Sequence, residues 1–253
     1  MTAVRPSQPP GCSGTERVSE VAAAQVSAGG GASSPPSTGS LKAALRREMV
    51  ARARAIPPAE RDRLASAAAS TLARFLRTCV PPGEVVGLYA ATATELPSAP
   101  AIHALADHYP LAFPRVAGDT IRFHRAPFES LTAHTSRILE PLATYPEVQP
   151  AALVIPGRAF DRFGVRLGHG AGYYDRTLAA LPPGTLLVGV CFSFQVVDEL
   201  PREPYDRWVH WLVTEEGDPR RCQALPTRMQ VLSGGPSSSE SLGASVPPEW
   251  DVP

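Results

Sequence analysis

AALVIPGRAFDRFGVRLGHGAGYYDRTLAALPPGTLLVGVCF, residues 151 to 192, is the stretch on which the fold turns. It opens on an apolar run, AALVIPG, and closes on another, LLVGVCF. Each is short enough for a strand covered on both faces, as in a parallel sheet. Between them come a loop of charged residues and glycines and a helix predicted from about Gly172 to Leu181. A strand, a helix and a second strand in this order argue for a right-handed crossover and a parallel sheet.

The same alternation extends outward. Leu41, Leu45 and Met49 recur at helical spacing, and after a Pro-Pro break so do Leu64, Ala68, Leu72, Phe75, Leu76 and Cys79. EVVGLYA reads as a buried strand, SAPAIHALADH as a helix, and LAFPRV, TIRFHRA and VHWLVTEEG as further strands. The expected fold is therefore a three-layer α/β/α domain with a mainly parallel sheet, spanning about residues 41–217. Residues 1–40 and 218–253 are rich in Ser, Gly, Pro and Ala without periodicity, a composition that buries too little apolar area to offset its ordering entropy. They are expected to be disordered.

Lys plus Arg and Asp plus Glu are both 24 in 253 residues, so no global field draws the chain to nucleic acid or anionic lipid. Any cationic site is local. No stretch approaches the roughly 20 apolar residues of a membrane helix, and the N-terminus lacks a secretory pattern, so a cytoplasmic protein is expected. Cys12, Cys79, Cys191 and Cys222 form no CxxC pair. Cys79 and Cys191 are expected to be buried thiols. The histidines His103, His108, His124 and His134 show no metal-ligand spacing, and His169 reads as part of the loop.

In parallel sheets ligands collect at the carboxyl ends of the strands, and there the charged and glycine-rich residues fall. Gly168, Gly170 and Gly172 occupy alternate positions just before a helix. A glycine costs a helix about 1 kcal/mol against alanine, so bare backbone has to serve some purpose there. Inward-turned N–H groups bind anions, and Arg166 just before them offers a planar fork to phosphate. The alternative is a tight strand-to-helix connection that merely needs glycine. A dinucleotide fingerprint fits badly, because the spacing is G-x-G-x-G and no carboxylate closes the following strand.

Asp175 and Asp206 are either helix-start and turn acids or, beside a phosphate loop, ligands for Mg²⁺, which favours one or two carboxylates with phosphate oxygens. Lys42 and Arg46, at i and i+4, repel unless an anion lies between them or they simply face solvent. Glu95, after the first strand, is a loop carboxylate or an acceptor for an amino-substituted ring.

These segments together resemble the 5-formyltetrahydrofolate cyclo-ligases, also called methenyltetrahydrofolate synthetases. The likeness runs from about residue 41 to 217 through LKAALRRE, LYAATATE, ILEP, VIPGRAFDRFGVRLGHGAGYYDRTL and LPREPYDRWVHWLVTEEG. The resemblance implies an ATP- and Mg²⁺-dependent ring closure: the formyl oxygen on N5 is phosphorylated, N10 attacks the activated carbon, and phosphate leaves. It implies that Lys42, Arg46 and the run Arg166, Leu167, Gly168, His169, Gly170, Ala171, Gly172, Tyr173 and Tyr174 bind ATP. Asp175 and Asp206 would hold Mg²⁺, and Tyr89, Ala90 and Glu95 would bind the folate. Two departures fall on the folate side, Arg137 where the family commonly has glycine and a tryptophan absent from the middle region. A related enzyme with another acceptor, or a non-catalytic folate- or nucleotide-binding regulator, are the alternatives. Small-molecule substrates are the only partners expected.

Overall fold

A computed structural model of the chain describes residues 37–133, 138–203 and 206–223. Most of both expected extensions, with Cys12, His134 and Arg137, lies outside these. Helix α1 (Thr38–Ala55) begins where the Ser37 side chain accepts a hydrogen bond from the Ser40 N–H at 3.2 Å, a cap that satisfies one orphan donor. Its start precedes the boundary drawn at residue 41. The stripe expected from Leu41 is also rotated: Leu41 is 42% exposed, while Lys42, Met49 and Ala53 are buried. The inward face of α1 therefore carries a charge, and the reason lies in the site below. Helix α2 (Pro58–Cys79) starts with Pro58 in its first turn, where a missing N–H costs nothing, and buries Ala65, Ala68, Leu72, Phe75 and Leu76.

The strands are β1 (Val86–Gly87), β2 (Leu111–Ala117), β3 (Thr120–Arg125), β4 (Thr132–Ala133), β5 (Leu139–Glu140), β6 (Ala152–Pro156), β7 (Ala159–Asp161), β8 (Arg166–Leu167), β9 (Leu186–Val190), β10 (Val196–Val197), β11 (Trp211–Val213) and β12 (Arg220–Arg221). Helices α3 (Ala99–Ala106) and α4 (Tyr173–Ala179) complete the order. The main sheet runs β12-β11-β9-β6-β1-β2-β3. Its five central strands are parallel, and β12 and β3 pair antiparallel at the two edges. The expected mainly parallel sheet is thus present, with LAFPRV and TIRFHRA as an antiparallel hairpin at one edge.

Alternation along β6 shows how the layers are made. Ala152 and Val154 join the core beneath α2 and α3, with Val86, Phe113 and Val188. Leu153 and Ile155 point the other way, into a second core with Leu178 of α4, Phe160 and Leu212. Burying one such leucine or isoleucine contributes roughly 1.5–3 kcal/mol, so a shift of one residue in register would be severely penalised. A third cluster joins Met49 of α1 to Ala159, Val165, Leu167 and Leu200, and this fixes α1 against the β7–β8 hairpin.

The ladder of β1 covers only Val86–Gly87 of EVVGLYA, and α4 is only 7 residues long, ending before Leu181. The charged loop after β6 is more ordered than its composition suggests, since β10, β7 and β8 form a small sheet of their own. Cys191 is buried as expected, but Cys79, at the last position of α2, is half-buried. Cys222, expected in a tail, packs against the second core. Among the described residues no helix is long and apolar enough to cross a membrane.

Candidate active site

Asp161 organises the loop that follows β6. Its side chain is fully buried and accepts hydrogen bonds from the N–H groups of Phe163 (2.9 Å), Val165 (3.0 Å) and Leu200 (3.1 Å), with Arg202 Nη2 at 3.4 Å. Burial pushes the Asp161 carboxyl above the usual carboxylate range, against the pull of those backbone donors and Arg202. One acceptor thus closes the β7–β8 turn and pins the segment after β10. The Val209 N–H donates to Gly164 O at 2.8 Å, which brings the chain before β11 against the same turn. Arg166 emerges from β8 as a result, with Asp206 on the neighbouring segment.

The glycines then act in two ways. Gly170 (φ 109°) and Gly172 (φ 72°) are left-handed, a conformation that side chains disfavour. Gly168 is needed for space, because a Cβ there would lie 2.4 Å from Arg166 Nη1. Among the described residues, none accepts a hydrogen bond from the amides of Gly168 through Gly172. Two of the loop's carbonyls are tied back: Arg46 Nε donates to Gly168 O at 2.9 Å and Arg176 Nη2 to Ala171 O at 2.9 Å. The loop is held by its oxygens while its N–H groups stay available. With two turns at most, α4 adds little dipole, so the positive character here comes from side chains and bare amides.

A cavity of about 510 Å³ opens over this loop. Every one of the residues singled out from the sequence lines it: Lys42, Arg46, Tyr89, Ala90, Glu95, the run from Arg166 to Asp175, and Asp206. Residues from α1, the end of β1, the β8–α4 loop and the segment before β11 therefore share one chamber.

Arg166 is 7% exposed, lies 5.0 Å over the Tyr174 ring, and places Nη2 3.3 Å from both oxygens of Asp175. Its buried Nε has no hydrogen-bond partner among the described residues, so part of this fork is uncommitted. Glu95 is positioned by its own turn: Oε2 accepts from Thr92 N–H at 2.8 Å and Thr92 Oγ1 at 3.0 Å. Its Oε1 faces His169 Nε2 at 3.6 Å. Burial lowers the His169 pKa; Glu95 opposes this, while Arg158, Arg166 and Arg46 add to it. Its imidazole is therefore neutral at pH 7. Tyr89 donates to Leu96 O at 2.8 Å, and burial, then the field of Glu95, pushes its phenol well above the ordinary range. Burial raises the Tyr174 phenol as well. Neither tyrosine ionises near neutrality.

Lys42 departs from the reading of a solvent-accessible cation. It is 6% exposed, and its ammonium donates to Glu203 Oε2 at 2.6 Å and Asp206 Oδ2 at 2.8 Å. Burial opposes its charge, but the hydrogen bonds and attraction of Asp206 and Glu203 outweigh this and raise its pKa. Sequence reading missed Glu203. It stands in LPREP beside Asp206, and only the approach of α1 gives the two acids a common partner. Glu140 and the apolar group Pro114, Val116 and Ile121 also line the chamber, and none of them was assigned a role from the sequence. Among the described residues no three metal-ligating side chains converge. Asp175 and Asp206 are each engaged by a cation on the cavity wall, a donor set that suits a hard ion arriving with phosphate oxygens better than a resident metal.

Fold and site together define a three-layer α/β protein with an amide- and guanidinium-lined chamber at the carboxyl ends of its parallel strands. Residues 38–215 match the model of the 5-formyltetrahydrofolate cyclo-ligase family. A 5-formyltetrahydrofolate cyclo-ligase of Escherichia coli (strain K12) is 30% identical over 165 residues, 61% of this chain and 90% of that one. One of Mycolicibacterium smegmatis is 39% identical over 66 residues, which span 26% of this chain and only 34% of the relative. The solved 5,10-methenyltetrahydrofolate synthetase of Aquifex aeolicus superimposes with a TM-score of 0.61 at 31% identity, covering 81% of this chain and 99% of that one. That of Mycoplasma pneumoniae gives 0.57 at 25%, covering 69% and 99%. The chain belongs to the 5-formyltetrahydrofolate cyclo-ligase family, whose named members are ligases.

Proposed function

We propose that this protein closes 5-formyltetrahydrofolate to 5,10-methenyltetrahydrofolate at the expense of ATP, releasing ADP and phosphate. The observation that carries the reading is the set of unpaired amides from Gly168 to Gly172, flanked by Arg46 and Arg166, in one chamber with Tyr89, Ala90 and Glu95. An amide oxygen is a poor leaving group. Phosphorylating the formyl oxygen converts it into a good one, after which N10 attacks the formyl carbon and phosphate departs. Phosphoryl transfer of this kind demands positioning and neutralised charge more than a chemical catalyst.

In this reading the bare amides, Arg46 and Arg166 hold the triphosphate with its terminal phosphorus toward the strand ends. Lys42 exchanges a carboxylate for a phosphate oxygen when nucleotide enters. Glu95, fixed by Thr92, accepts hydrogen bonds from the amino-substituted ring of the folate beside Tyr89 and Ala90. His169, whose Nε2 faces Glu95 Oε1 at 3.6 Å, lies between the two halves. Asp175 and Asp206 would hold Mg²⁺, which neutralises phosphate charge when bound. A cytoplasmic location, small-molecule partners only, and a domain bounded near residues 41 and 217 with passive extensions belong to the same proposal.

Mixing pure protein with 5-formyltetrahydrofolate, Mg²⁺ and ATP and following the absorbance of the methenyl product tests it. Nucleotide binding without product would reject the assignment in favour of another acceptor or a regulator.

A further inference from the structure

The chamber has two unlike ends. Around the glycine loop it is cationic, but on the side of β2, β3 and β5 its wall is Pro114, Val116, Ile121 and Ile138, with one charged group among them, Glu140. That residue is 3% exposed. Its Oε2 is buried and has no hydrogen-bond partner among the described residues. Among the described residues the cation paired with it, Arg115 Nη1, is 4.0 Å away, beyond hydrogen-bond reach, and donates instead to Pro141 O at 2.7 Å.

A buried acceptor left unmet is costly, and native proteins keep few of them. The four apolar neighbours offer it no side-chain donor. The backbone does not explain it either: Glu140 pairs with Thr132 across β4 and β5 through the main chain, which any residue could do at that position. Glu140 lines the cavity wall, and turning its carboxyl about the soft terminal side-chain torsion presents the unmet oxygen to a ligand seated there.

We propose that Glu140 is a specificity-determining residue, whose carboxylate accepts a hydrogen bond from an uncharged N–H group of a substrate seated at the apolar end of the chamber. Apolar walls with a single acceptor suit the edge of a flat nitrogen heterocycle or an aryl amine. They repel phosphate and carboxylate groups, and so help to orient a long substrate with its anionic parts elsewhere. The inference rests on the reaction proposed above, where two reactants carry such a group: the exocyclic amine of adenine and the ring or bridge N–H groups of the reduced folate. Both present the same chemistry to Glu140, and the experiment tells them apart.

Calorimetric titrations of the full chain with a non-hydrolysable ATP analogue and, separately, with 5-formyltetrahydrofolate would be run on the wild type, Glu140→Gln and Glu140→Leu. Losing a hydrogen bond to a charged group should raise one of the two Kd values roughly ten- to a hundredfold in Glu140→Leu. The other Kd should stay within twofold, and Glu140→Gln, which keeps a carbonyl acceptor, should fall between. A rise confined to the nucleotide assigns the donor to adenine, and one confined to the folate assigns it there. If both Kd values stay within twofold, or both rise together with a lowered melting temperature, Glu140 is structural and the proposal fails. Should Glu140→Leu not fold, Glu140→Gln decides by the same criterion, and no selective rise overturns the proposal. Product formation by the wild type is recorded in parallel, so that a failure of the reaction assignment is seen separately from a failure at Glu140.

Discussion

Replacing Lys42 by methionine removes the ammonium while keeping most of the side-chain volume. The structure sets the cost. Lys42 is buried against Asp206, whose side chain is 11% exposed, and Glu203, whose side chain is 33% exposed. Taking one partner from a buried pair costs about 3–5 kcal/mol, because the other charge is left desolvated. Here Asp206 is left in that state, whereas Glu203 is open enough to rehydrate and adds at most about 1 kcal/mol. The low end of the range applies, about 3 kcal/mol. For a domain of this size that lowers Tm by roughly 6–12 °C. Differential scanning calorimetry of Lys42→Met checks it. Adding Asp206→Asn should recover at least half of the loss, because the stranded charge is gone and the amide oxygen can still accept from the Glu203 N–H. Turnover should fall at least about tenfold in both variants, since neither can hold a phosphate with Lys42. A Lys42→Met protein that melts within a degree of the wild type would refute the energetic reasoning. One that also keeps full turnover would remove Lys42 from the site. The ion triad has a pH signature too. The folded pKa of Lys42 lies above its ordinary 10.5, so its stabilisation is complete below that value and disappears as pH rises through the folded pKa.

Gly168→Ala forces the buried Arg166 fork aside, so nucleotide affinity should drop about tenfold or more while Tm changes by only a few degrees, measured by ADP titration and melting. Asp161→Ala strands three buried amides and should cost at least about 3 kcal/mol in urea denaturation, with Asp161→Asn costing less. In NMR titrations His169 should take its proton below 6.5, destabilising the fold as pH falls beneath that value, and nucleotide binding should shift its pKa upward as phosphate offsets the surrounding arginines. Removing residues 1–36 should leave turnover within about twofold, because the family match begins at residue 38 and the Ser37 cap is kept.

Local chemistry written along the chain accounts for most of this molecule. Short, β-branched apolar runs such as AALVIPG and LLVGVCF read as strands covered on both sides, and helices between them favour a parallel, layered sheet. Glycine at alternate positions announces bare backbone, and the rule that ligands sit at strand ends places it in a site. Those inferences need only periodicity and covalent geometry, which neighbours in sequence already contain. Folding alone reveals what depends on meetings between distant segments. Lys42 faces inward because α1 packs through Met49 onto Ala159 and Leu167, and only then does it find Asp206, 164 positions away. Asp161 shows itself as the organiser of the loop only when the amide of Leu200 arrives beside those of Phe163 and Val165. Glu140 becomes conspicuous because none of the described residues hydrogen-bonds its buried oxygen. Charge pairing and burial are properties of three-dimensional proximity, and no pattern confined to one segment can encode them.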